Sequence, residues 1–67
     1  MPRKTREIIR DYERAGFAYS GSKGSHRKYK HPSGVTAIVS GGLGDDADRY
    51  MEKQLAQKLR EVKNNEK

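Results

Sequence analysis

An α+β fold of order α-β-β-β-α is what the sequence predicts, and three observations predict it. A run with helical apolar spacing opens the chain over residues 3–15, and a second closes it from about residue 45. Between them lie three short strand-like runs, set apart by segments rich in glycine, serine or proline. Three antiparallel strands would bury one sheet face under two helices and leave the other face to solvent, a two-layer sandwich. At 67 residues, 31% hydrophobic and 36% charged, the chain reads as a single domain over 1–67 with a thin core. No internal repeat or linker interrupts it.

The first helix places Ile8, Ile9, Tyr12 and Ala15 on one stripe, with Arg6, Glu7, Arg10, Asp11 and Arg14 off it. Either Thr5 or the Pro2 region starts it, and Gly16 supplies the left-handed position that ends it. Phe17-Ala18-Tyr19-Ser20 reads as a short strand with both aromatic rings on one face. Gly21-Ser22-Lys23-Gly24 reads as a flexible connector, and the second strand as Ser25 to His31. In His31-Pro32-Ser33-Gly34, proline at the second position and glycine at the fourth predict a type I turn. Val35 to Ser40 is the most β-prone segment of the chain, and Gly41-Gly42-Leu43-Gly44 reads as a mobile loop. The last helix starts near Asp45 to Asp48, where carboxylates cap free N–H groups and favour the positive end of the dipole. Met51, Leu55, Leu59 and Val62 form its apolar stripe with Tyr50 beside them, and Lys63 to Lys67 reads as a frayed tail.

Composition narrows the partner. Absence of cysteine excludes a disulfide framework and thiolate metal sites, and fits a reducing, cytoplasmic setting. No apolar run approaches the ~20 residues of a membrane span, and no signal-peptide stretch opens the chain. A formal charge of +6 favours a polyanion, nucleic acid above all, although an acidic protein would answer the same charge.

Both histidines fall in one segment, Gly24-Ser25-His26-Arg27-Lys28-Tyr29-Lys30-His31-Pro32. Imidazole is the side chain whose unperturbed pKa lies nearest neutrality. Strand alternation sends His26, Lys28 and Lys30 to one face and Ser25, Arg27, Tyr29 and His31 to the other. Tyr29 is the large, partly apolar member and is expected to pack towards the helices, which leaves His26 exposed with two lysines. Backbone N–H groups at Gly24-Ser25 can approach an anion closely. A neutral imidazole there is placed to take the proton of a ribose 2′-OH. Lys23, Arg27, Lys28 and Lys30, together with Gly24 and Ser25, would hold the RNA and stabilise charge on phosphorus. The plainer reading of a histidine in a polar strand is a solvated residue. His31 makes a poor partner for His26, since five residues of strand separate the two by roughly 16 Å and the odd offset sends them to opposite faces; a structural role beside Pro32 suits it better. The sequence does not identify the acid that protonates the leaving 5′-oxygen; a lysine and water are the candidates. Asp45, Asp46 and Asp48 fit capping roles better than a metal site, so no metal or other cofactor is expected.

Gly24-Ser25-His26-x-x-Tyr29-x-His31-Pro32 resembles the HicA toxin family of small RNA-cleaving toxins, and the similarity extends over nearly the whole chain. Ala15-Gly16-Phe17 after the first helix, the His-Pro-x-Gly turn and the valine-rich third strand follow in the family's order. The loop Ser40 to Ala47, with Tyr50-Met51-Glu52-Lys53 after it, is similar to one branch and departs from the better-known Pro-Arg-His type of loop. The resemblance implies a fold like that of double-stranded-RNA-binding domains, metal-independent cleavage of mRNA, one catalytic histidine at His26, and neutralisation by a HicB-type antitoxin. The main rival is a non-catalytic RNA-binding module of the same fold. Such domains present lysines at the start of the last helix, where this chain has Asp45, Asp46 and Asp48, so the strand face is the better RNA site. A third reading is an interaction protein that binds an acidic partner and cuts nothing.

Overall fold

The computed structural model describes residues 3–65, so Pro2 as a helix start and the Glu66-Lys67 end of the tail lie outside the described residues. Helix α1 spans Thr5–Arg14. Its Ile8, Ile9 and Tyr12 are buried, and Ala15 packs partly buried beside them. The helix ends as its sequence dictates. Gly16 takes φ +104°, the Phe17 N–H donates to the Tyr12 carbonyl at 3.0 Å and the Gly16 N–H to that of Glu13 at 3.0 Å. This double closure is the Schellman pattern, and its apolar contact is the edge-on packing of Phe17 against Tyr12, ring centroids 5.0 Å apart.

Strands β1 (Ala18–Lys23), β2 (His26–Lys30) and β3 (Thr36–Val39) form one antiparallel sheet in the order β1-β2-β3. The first hairpin corrects the expected connector. Gly21-Ser22-Lys23 belongs to β1, and the turn is the two-residue Gly24-Ser25. Gly24, at φ +61°, is the glycine that a tight hairpin requires at its first central position. Gly21, at φ +138°, sits where the register shifts after Tyr19, a bulge that glycine tolerates inside a strand. The second hairpin turns at His31-Pro32-Ser33-Gly34 as expected: the Gly34 N–H donates to the His31 carbonyl and the His31 N–H to that of Val35, both at 2.9 Å.

Helix α2 spans Arg49–Asn65. Of the three aspartates before it only Asp48 caps, its Oδ1 accepting from the Met51 N–H at 2.9 Å. Leu55 and Val62 are buried, Met51 and Leu59 partly so, and Tyr50 is exposed. The helix continues through Lys63 to Asn65, where a frayed tail was expected.

The glycine loop is tied down rather than mobile. The Leu43 and Asp45 carbonyls accept from the first-turn N–H groups of Arg6 (3.2 Å) and Thr5 (2.8 Å), so the loop caps α1 from forty residues away. Asp45 Oδ2 accepts from the Gly42 N–H at 2.9 Å, and Asp46 pairs with the Lys4 ammonium at 2.6 Å. Arg3 joins the helices: its guanidinium donates to Asp11 on α1 at 2.7 Å and to both carboxylate oxygens of Glu52 on α2 at 3.2 Å. The hydrogen bonds to Glu52 and then Asp11 push the Arg3 pKa up. Ile8, Ile9, Tyr12, Leu55 and Val62 from the helices meet Tyr29, Ala37 and Val39 from the sheet in one core.

Candidate functional site

The face of the sheet turned away from this core is where the chemistry-bearing residues collect. Along β2 the alternation runs as the sequence predicts: His26, Lys28 and Lys30 are exposed, Tyr29 is buried and Arg27 half-buried. Pairing across the sheet arranges the open face in rows. Lys23 stands opposite His26, Lys28 lies between Gly21 and Ile38, and Lys30 lies between Ala18 and Thr36. Successive rows on one face are about 7 Å apart. A shallow cavity of about 390 Å³ lies over the first two rows, lined among others by Gly21, Lys23, His26, Lys28 and Ile38.

The hairpin sets the aim of His26. With Gly24-Ser25 as the whole turn, His26 is the first residue of β2 and sits beside the exposed hairpin tip. Gly24 and Ser25 are both exposed there. Arg27 borders the cavity, but its Nη1 donates to the Gly41 carbonyl at 2.9 Å, which commits the guanidinium to the glycine loop. Of the seven residues singled out in sequence, four cations and one imidazole are therefore split: His26, Lys23, Lys28 and Lys30 remain open to solvent, while Arg27 braces the structure.

His31 occupies a different environment. Its ring is buried and packs on Phe17, centroids 5.2 Å apart. The Ser33 N–H donates to Nδ1 at 3.0 Å, with the Ser33 hydroxyl 2.9 Å from the same atom. An amide can only donate, so Nδ1 is the acceptor and the ring hydrogen belongs on Nε2, which faces the Ala15 carbonyl at 3.1 Å. Both nitrogens thus tie the β2–β3 turn to the end of α1. The structural role expected beside Pro32 is what the structure presents.

Beneath the sheet, burial pushes the Tyr29 hydroxyl above its ordinary pKa of 10, with Glu13 adding to the rise and Arg27 opposing it. Among the described residues no three histidine or acidic side chains stand together as a metal-binding group. The three aspartates are spent on Gly42, Lys4 and Met51.

Sequence reasoning missed three residues of the cavity lining, Gly21, Ser22 and Ile38. Ile38 was legible in principle: Ala37 and Val39 are buried on either side of it, so strict alternation puts it on the open face, where it is 53% exposed. Gly21 was not, because its place follows from a bulge that only the hairpin pairing reveals.

Comparison with known proteins gives one family. The model described as the HicA toxin of bacterial toxin–antitoxin systems matches residues 5–62. Among curated proteins nothing matches. No helix among the described residues is long and apolar enough to cross a membrane.

Proposed function

The chain belongs to the HicA toxin family, and from that premise we propose that its open sheet face cleaves mRNA with His26 as the catalytic base. Membership makes it a toxin of a toxin–antitoxin system and implies an antitoxin as its partner. In the proposed reaction a neutral His26 imidazole takes the proton from a ribose 2′-OH. The freed oxygen attacks the adjacent phosphorus and the bond from phosphorus to the 5′-oxygen breaks. One fragment keeps a 2′,3′-cyclic phosphate; the other leaves with a 5′-hydroxyl once a lysine or water has supplied a proton. Lys23 and Lys28, on the same face, stabilise the charge that builds on the phosphoryl oxygens. Gly24 and Ser25 at the hairpin tip, and Lys30 one row further along, extend the RNA contact. The reaction needs no metal, the site of action is the cytoplasm, and a HicB-type antitoxin blocks it.

The observation that carries this reading is the contrast between the two imidazoles. His26 stands exposed among lysines at the edge of a cavity, while both ring nitrogens of His31 are engaged in holding a turn to a helix. The test is His26→Ala, assayed for growth inhibition on induction and for cleavage of purified mRNA in the presence of EDTA. The parent is expected to cut in EDTA. The variant is expected to lose both activities, roughly a hundredfold or more in rate, while keeping its circular dichroism and its affinity for the antitoxin. A variant that cuts as fast as the parent would leave this face as an RNA-binding surface at most.

A further inference from the structure

We infer that the cavity beside His26 takes one unpaired nucleotide of single-stranded RNA, with its base laid on Ile38 over the space left open at Gly21. The inference rests on the ribonuclease reading for its ligand and names which form of RNA that ligand has. Three observations meet in it. First, the second row of the open face, Gly21–Lys28–Ile38, carries the one large aliphatic side chain among the cavity residues, directly beside a lysine. An isoleucine 53% exposed on a cationic face is a surface for something flat and apolar rather than for a phosphate. Second, a Cβ built on Gly21 would meet no atom within 4 Å, so the space above the bulge is open and any other residue would intrude on it. Third, the row that holds His26 and Lys23 lies about 7 Å away on the same face. That puts an imidazole and an ammonium beside the apolar floor, where the sugar and phosphate of the same nucleotide would lie.

A base in duplex RNA cannot use this floor. Both of its faces are covered by stacking, and only unstacked bases of loops, bulges and ends are free to lie on a protein surface. The duplex also holds each ribose oxygen away from the line of attack on phosphorus, whereas an unpaired nucleotide is free to rotate into it. The lysines supply charge complementarity to the backbone on either side.

The test uses a short 2′-fluoro oligonucleotide, which cannot be cut by its own ribose, as a single strand and annealed to its complement. Binding is read by fluorescence anisotropy for the protein and for Ile38→Ala and Ile38→Leu, with circular dichroism to confirm folding. Cleavage of the matching RNA is followed in parallel. The single strand is expected to bind about tenfold or more tighter than the duplex; Ile38→Ala loses about tenfold of that affinity, and Ile38→Leu, which keeps an apolar floor, retains it. Equal affinity for the two forms, an Ile38→Ala variant that binds like the parent, or no binding to either form overturns the inference, even where RNA is still cut. Binding as expected with no cleavage upholds the groove and sinks the ribonuclease reading instead.

Discussion

Tyr12 carries a hydroxyl into the middle of the core, 1% exposed, with no hydrogen-bond partner. A buried polar group left unpaired costs stability, so Tyr12→Phe is expected to raise stability by about 1 kcal/mol, seen as a melting temperature about 5 °C higher. Burial, and then the nearby Tyr50 hydroxyl, push the Tyr12 pKa from 10 to about 12. The folded state therefore binds this proton more tightly than the unfolded chain. Its contribution is intact below pH 10 and is lost as pH climbs towards 12. Tyr12→Phe should flatten that alkaline decline in a pH series of urea midpoints; an unchanged slope would assign the decline to other groups. At this scale the sequence was legible where period-two alternation ruled, as at His26, Lys28 and Tyr29. It was not legible at Tyr12, because nothing in a helical stripe says whether a hydroxyl finds a partner.

Around the shared core, glycines and single side chains fix the junctions between elements. Gly16 answers two demands. Its φ of +104° disfavours any side chain, and a Cβ there would come within 3.0 Å of His31 Nε2, the atom that bonds to the Ala15 carbonyl. Gly16→Ala is expected to cost about 2 kcal/mol, measured as a lower urea midpoint with an unchanged slope. A neutral result would mean that the α1–β1 junction relaxes freely and that His31 is not held as described. Helix spacing and turn residues made α1, the His31–Gly34 turn and β3 readable in sequence. The β1–β2 hairpin was misread because Gly-Ser-x-Gly has the composition of a linker, while its strand character comes from pairing with β2. The loop at Gly41–Gly44 was misread for a related reason. Its anchors, Arg27, Thr5 and Arg6, lie far off in sequence, and composition alone registers only the glycines.

Over the whole molecule, the net charge of +6 forecast a polyanion but not where one would sit. Arg3 and Lys4 are drawn into ion pairs with Asp11, Glu52 and Asp46, whereas Lys23, Lys28 and Lys30 gather on the open side of the sheet. The cap that the glycine loop places on α1 has a consequence for the order in which the molecule assembles. A ten-residue helix is marginal alone in water, and the carbonyls that complete its first turn arrive with Leu43 and Asp45. The start of the chain therefore waits for its middle, and the closing step spans forty residues. A peptide of residues 1–40 is expected to lack a helical circular dichroism spectrum and a cooperative melt; a folded fragment would show that the loop is dispensable. During synthesis the first helix would stay uncapped until the loop has left the ribosome, so a translation product cut short before Leu43 is expected to lack the folded domain and, with it, the toxin's activity.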